Sequence, residues 1–102
     1  MNFNDFRTYC NKETEQRLRK VGYTRRIEDI VADPNRVPLE EAKFFLMRAY
    51  NAIYYKIWNN ETGNFDYKVT FTDKPLELAG EGFDKAQDAL EHAINAIIDT
   101  IE

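Results

Sequence analysis

Serine is absent from this chain, and cysteine, histidine and tryptophan each occur once, as Cys10, His92 and Trp58. Without serine, and with no spacing that suggests pairing between Cys10 and His92, a Ser–His or Cys–His nucleophile has almost no room. One cysteine and one histidine do not build a tetrahedral zinc site, and "EEAK" lacks the Glu-x-x-His spacing of helical di-metal sites. Cys10 has no partner for an internal disulfide, so a reducing cytoplasm is the expected compartment and Cys10 an inert, partly buried thiol. No apolar run approaches the ~18 residues of a membrane-spanning helix. The opening "MNFNDFRTYC" is polar and carries Asp5, unlike a secretory signal. Phosphate-binding loops are missing too: "GEGFDK" is neither a P-loop nor a G-x-G-x-x-G, and Glu81 and Asp84 repel anions. The expectation is a non-enzyme with no catalytic residue, no cofactor and no metal.

What is present suits one small globular domain over residues 1–102. Hydrophobic residues make up 43% and aromatic residues 14%, enough for a core without disulfides or metal. The formal net charge is -4, but it is unevenly divided. Residues 1–58 carry eleven basic and eight acidic side chains, net +3; residues 59–102 carry three and ten, net -7. Such a split favours attraction between the halves, within one fold or between copies, and alternatively a different partner for each half.

The first apolar stripe, Phe6, Cys10, Leu18 and Val21, is thin. It predicts a largely exposed helix from about Asp5, capped by Asn4 or Asp5, to Val21, with Gly22 as its stop. "TRRIEDIVADP" predicts a short second helix, capped by Thr24 and ended by Pro34. In "PLEEAKFFLMRAYNAIYYKIWNN", Leu39, Ala42, Leu46, Ala49, Ile53 and Ile57 share one stripe at near-heptad spacing. Phe45, Tyr50, Tyr54 and Trp58 widen it, predicting a long helix over about 38–59. "FDYKVTFT" alternates strictly, with Phe65, Tyr67, Val69 and Phe71 on one face, and predicts a strand. In the remainder, Leu76, Ala79, Phe83, Ala86, Leu90, Ala93, Ile94, Ile97 and Ile101 keep one helical phase across Gly80 and Gly82. This favours one long helix over about 75–101; a start after Gly82 is the competing reading.

The fold expected from these elements is mainly α. Two long antiparallel helices, 38–59 and 75–101, are covered by two shorter N-terminal helices, with one β-strand or hairpin segment near 65–72. A lone strand is unstable, so "VGYTRR", "PLELAG" or the same strand of a second copy are its candidate partners.

Two surfaces stand out as candidate sites. "RLRKVGYTRR", residues 17–26, packs five basic residues into ten. Arg17, Arg19 and Lys20 suit the negative end of a helix dipole, whereas Arg25 and Arg26 fall in the first turn of the next helix, where that argument reverses. Arg17, Lys20, Tyr23, Arg25 and Arg26 form a candidate partner or anion site, the arginines holding phosphates while Tyr23 stacks on a base. Tyr54, Tyr55, Trp58 and Tyr67 form a candidate oligomer or partner surface. His92 sits near the boundary of its helical stripe, and Glu81, Asp84, Asp88 and Glu91 read as a solvated acidic face.

The expected function is a small non-catalytic interaction or regulatory protein that binds another protein, as a homo-oligomer and without a membrane. Accessory proteins and inhibitors of phages and mobile elements fit this class-level description. The alternative is a binder of a small nucleotide or short nucleic acid through the 17–26 cluster.

Overall fold

The computed structural model describes residues 9–24, 37–59, 61 and 63–102, with residues 54–59 described by their backbone. The elements run α1 (Lys12–Lys20), α2 (Leu39–Tyr50), β1 (Ala52–Asn59), β2 (Phe65–Phe71), β3 (Glu77–Phe83) and α3 (Ala86–Ile101). The chain is therefore an α+β protein with a three-stranded antiparallel sheet, not the mainly α helical hairpin that the sequence pattern predicts. Each expected long helix is part helix and part strand.

The first break falls at Asn51. Glu40 and Glu41 sit in the first turn of α2, where acids favour the positive end of the dipole. The helix stops because Asn51 adopts a left-handed conformation, φ 62, a geometry that asparagine tolerates better than most residues. The next seven residues, "AIYYKIW", are rich in β-branched and aromatic side chains and run on as β1. The backbone pairs Ile53 with Thr70 and Ile57 with Tyr67, so these two isoleucines extend a sheet rather than a helical stripe.

The second break lies between Phe83 and Ala86. Leu76, Ala79 and Phe83 do not continue the α3 stripe: Leu76 precedes β3, and the other two lie in it. The competing start after Gly82 is the nearer description, since α3 begins at Ala86. Gly80 stands opposite Tyr67, and a Cβ there would lie 2.4 Å from Tyr67 Cε2. The close approach that the glycine permits is thus that of an aromatic ring to a strand. Gly82, at φ 82, falls where the β2–β3 register shifts, and its N–H donates to Asp66 Oδ1 at 3.1 Å.

β2 is the central strand, in the order β1-β2-β3. It alternates as the sequence pattern requires: Tyr67, Val69 and Phe71 are buried, while Lys68 is exposed. α3 packs across the sheet, touching all three strands and both other helices. It buries Ala89, Leu90, Ala93, Ile94, Ile97 and Ile98. Full burial of each isoleucine or leucine stabilises by about 1.5–3 kcal/mol, so α3 organises the core. Leu18 of α1, with Leu39, Ala42 and Leu46 of α2, completes it.

At the N-terminal side, Tyr9 bridges Pro38 and the Cys10 N–H donates to the Val37 carbonyl at 2.8 Å. These residues are not helical, so the helix expected from Asp5 begins at Lys12, where Asn11 Oδ1 accepts the Thr14 N–H at 2.9 Å. Cys10 is a fully buried thiol. The short helix expected from Thr24 falls almost wholly on residues 25–36, outside the described residues.

Candidate interaction site

The basic cluster is divided by its surroundings. Arg17 reaches from α1 to α3, where its guanidinium donates to Asn95 Oδ1 at 2.9 Å, to Asp99, and to Glu102 Oε2 at 3.3 Å. Burial pushes the Arg17 pKa down, but Asp99 and Glu102 together outweigh it and hold the group above its ordinary value. Asn95 also donates to Thr14 Oγ1 at 2.9 Å, and Glu91 Oε2 accepts the Asn11 N–H at 2.6 Å, so α1 is tied along the length of α3. Tyr23 is 4% exposed; its hydroxyl donates to Glu41 Oε1 at 2.7 Å and its ring packs edge-on against Phe45. Lys20 is exposed. Arg25 and Arg26 lie outside the described residues.

The expected aromatic surface is also divided. Tyr54, Tyr55 and Trp58 belong to β1, while Tyr67 is 2% exposed and packs inside the sheet–helix layer. Phe44, on α2, is the exposed large hydrophobic side chain among the described residues, at 50%, with Lys43 Nζ 5.9 Å from its ring centroid.

A different constellation emerges at the corner between β3 and α3. Tyr67 lies against Gly80 and its hydroxyl meets His92 Nδ1 at 2.8 Å, in a hydrogen bond whose direction follows the imidazole tautomer. Burial pushes the Tyr67 phenol up, so it stays neutral at ordinary pH. Phe83 completes the cluster, its ring centroid 4.9 Å from that of His92 and 5.9 Å from that of Tyr67. Tyr67 is the buried base of this group, Phe83 is half-buried and His92 is exposed. Asp84 and Lys85 follow Phe83 in the chain, and Asp88 lies one helical turn before His92; these three and Glu81, on the other face of β3, are all exposed.

Much of the remaining acidic charge of the C-terminal half is engaged inside the molecule. Asp99 and Glu102 meet Arg17, Glu91 meets the Asn11 N–H, Asp66 meets Gly82, Asp73 accepts from Asn51, and Glu77 Oε2 lies 3.2 Å from Lys68 Nζ. Glu81, Asp84 and Asp88 have no ion-pair partner among the described residues. The sequence pattern puts Glu81, Asp84, Asp88 and Glu91 on one exposed helical side, but Glu81 lies in β3 and Glu91 is half-buried against the Asn11 N–H; the aromatic group is not legible in the sequence. Phe83 there belongs to a helical stripe, and Tyr67 lies twenty-five positions from His92.

Among the described residues, no three His, Cys, Asp or Glu side chains converge on a possible metal position, and no helix is long and apolar enough to cross a membrane. No family model matches the chain, and no curated protein or solved structure is similar to it.

Proposed function

We propose that this chain is a small non-catalytic protein that acts by binding another protein through its sheet. One observation carries the reading. α3 covers one face of the sheet, and among the described residues neither β1 nor β3 has a second strand on its outer side. An outer strand presents unpaired N–H and C=O groups, which an extended segment of another chain satisfies by adding a strand. On the opposite face, β2 and β3 carry exposed polar or small side chains, among them Lys68, Glu77 and Ala79.

β1 is where a second copy would pair, which keeps homo-oligomerisation within this reading; two antiparallel β1 strands related by a two-fold axis make a closed dimer. Cys10 is buried and is the single cysteine of the sequence, which fits a reducing cytoplasm. The nucleotide alternative has weaker support, because Arg17 is committed to α3 and the Tyr23 ring is covered.

The test combines light scattering over a wide concentration range with affinity capture from the native host. The expected outcome is concentration-dependent self-association, or a stoichiometric protein complex in which amide exchange slows along β1 or β3. A strict monomer that captures no protein, and instead saturates with a nucleotide or a short single strand, contradicts the reading.

A further inference from the structure

We propose that the β3–α3 corner is a docking surface for an arginine-bearing, extended segment of a partner protein. The segment adds to the outer edge of β3, with a guanidinium received by the Phe83–His92 ring pair and by Asp84 and Asp88, while Glu81 adds negative charge on the other face of the strand. The inference rests on the reading that this chain acts by binding protein, and adds the chemistry of the partner.

Three observations meet at one place. The first is charge. Of the exposed carboxylates without an ion-pair partner among the described residues, Glu81, Asp84 and Asp88 follow one another along the end of β3, the connection and the first turn of α3, whereas Glu13 and Glu61 lie elsewhere. Asp88 and His92 are one helical turn apart and so share a face. Lys85 offsets part of this charge and leaves a net negative corner.

The second is aromatic. Phe83 and His92 sit 4.9 Å apart at an interplanar angle of 49°, on the buried ring of Tyr67. The Tyr67–His92 hydrogen bond fixes the imidazole, and Gly80 gives the Tyr67 ring the space it occupies. A cation over an aromatic face is attracted by the negative potential of the ring, and carboxylates beside it add charge-assisted hydrogen bonds. Arginine satisfies both at once, because its planar guanidinium stacks on rings while its edge matches a carboxylate; lysine does so less well.

The third is the backbone. β3 pairs with β2 on one side and with no described strand on the other, so the acids border an edge able to bind an extended chain. The edge supplies affinity without regard to sequence, and the acids and rings select the segment. Glu77 and Glu81 on β3 also disfavour pairing of this edge with the same edge of a second copy, since like charges would approach.

The test uses the full chain and a synthetic peptide of about ten residues with alternating arginine and valine, compared with the same peptide carrying glutamine for arginine. Binding is followed by calorimetry at moderate salt. The expected result is one arginine peptide per chain, with binding at least about tenfold weaker for the glutamine peptide and for Glu81→Gln/Asp84→Asn/Asp88→Asn. His92→Gln, which keeps a polar group near the Tyr67 hydroxyl but removes the ring, should weaken binding by about threefold. A control, Glu13→Gln/Glu61→Gln, neutralises exposed acids elsewhere and should leave binding within about twofold of wild type. Equal losses in the corner variant and this control overturn the proposal by showing a diffuse polycation effect. If both peptides bind alike and slow exchange along β3, edge binding stands and the arginine preference fails. Absence of binding by either peptide also overturns the proposal, while the broader protein-binding reading is judged separately by self-association and capture.

Discussion

Single residues decide where this chain turns and what it can cover. Gly80 is the clearest case, because steric space alone requires it. An alanine Cβ would fall 2.4 Å from a ring carbon of buried Tyr67, and no left-handed backbone is involved. Gly80→Ala should cost about 1–3 kcal/mol, the usual penalty for overpacking, read as a lower urea midpoint with an unchanged slope. It should also displace the ring from His92 and perturb the imidazole signals in a proton spectrum. Wild-type stability and an undisturbed imidazole would show that the ring does not need this glycine. Tyr67 gives a pH prediction with a definite sign. Burial raises its folded pKa above the ordinary tyrosine value of 10.0. Below pH 10 both states hold the proton and the group adds no slope. Above it the unfolded chain loses the proton first, so stability falls as pH rises towards the folded pKa. Ultraviolet titration should show a late-ionising tyrosine step, and Tyr67→Phe should remove both that step and its share of the alkaline loss.

At the scale of elements, Asn51 converts one expected helix into a helix and a strand. Asn51→Gly should be nearly neutral, because glycine accepts φ 62 freely. Asn51→Val should cost roughly 1–2 kcal/mol in thermal or urea unfolding, because a β-branched residue resists that region. Equal stability of the two variants would show that the turn does not depend on this residue. The same position explains what was legible. The β2 alternation and the Leu90–Ile101 part of the expected stripe are readable because each fits one period; the start of α3 is not, because Leu76, Ala79 and Phe83 keep the helical phase while belonging to β3 and the residue before it. Ile53 and Ile57 were not, since residues four apart share a face in a helix and in a regular strand. The better signal was the β-branched and aromatic run after an asparagine able to turn left-handed. Gly80 and Gly82 carried a similar warning: each costs a helix about 1 kcal/mol relative to alanine, whereas a bulged strand accommodates them. The chemistry of Arg17 was visible as a cation at a helix end. Its actual partners, Asn95, Asp99 and Glu102, lie 78 to 85 positions away and are fixed only by the packing of α1 on α3.

Across the whole molecule, the split charge is partly resolved within the fold. Arg17 draws α1 onto the acidic end of α3, and Lys68 meets Glu77 across the sheet. Of the exposed acids without an ion-pair partner among the described residues, Asp84 and Asp88 lie beside the aromatic corner, next to an outer strand edge. This juxtaposition is the centre of the inferred docking surface, while in the basic cluster Arg17 and Tyr23 are engaged in holding the fold. The most direct measurement is amide hydrogen exchange on the full chain, with and without the arginine–valine peptide. Docking at the corner predicts slowed exchange confined to Glu77–Phe83 and the first turn of α3, lost in Glu81→Gln/Asp84→Asn/Asp88→Asn. Protection centred instead on residues 17–24, or no change along β3 under saturating peptide, would contradict it.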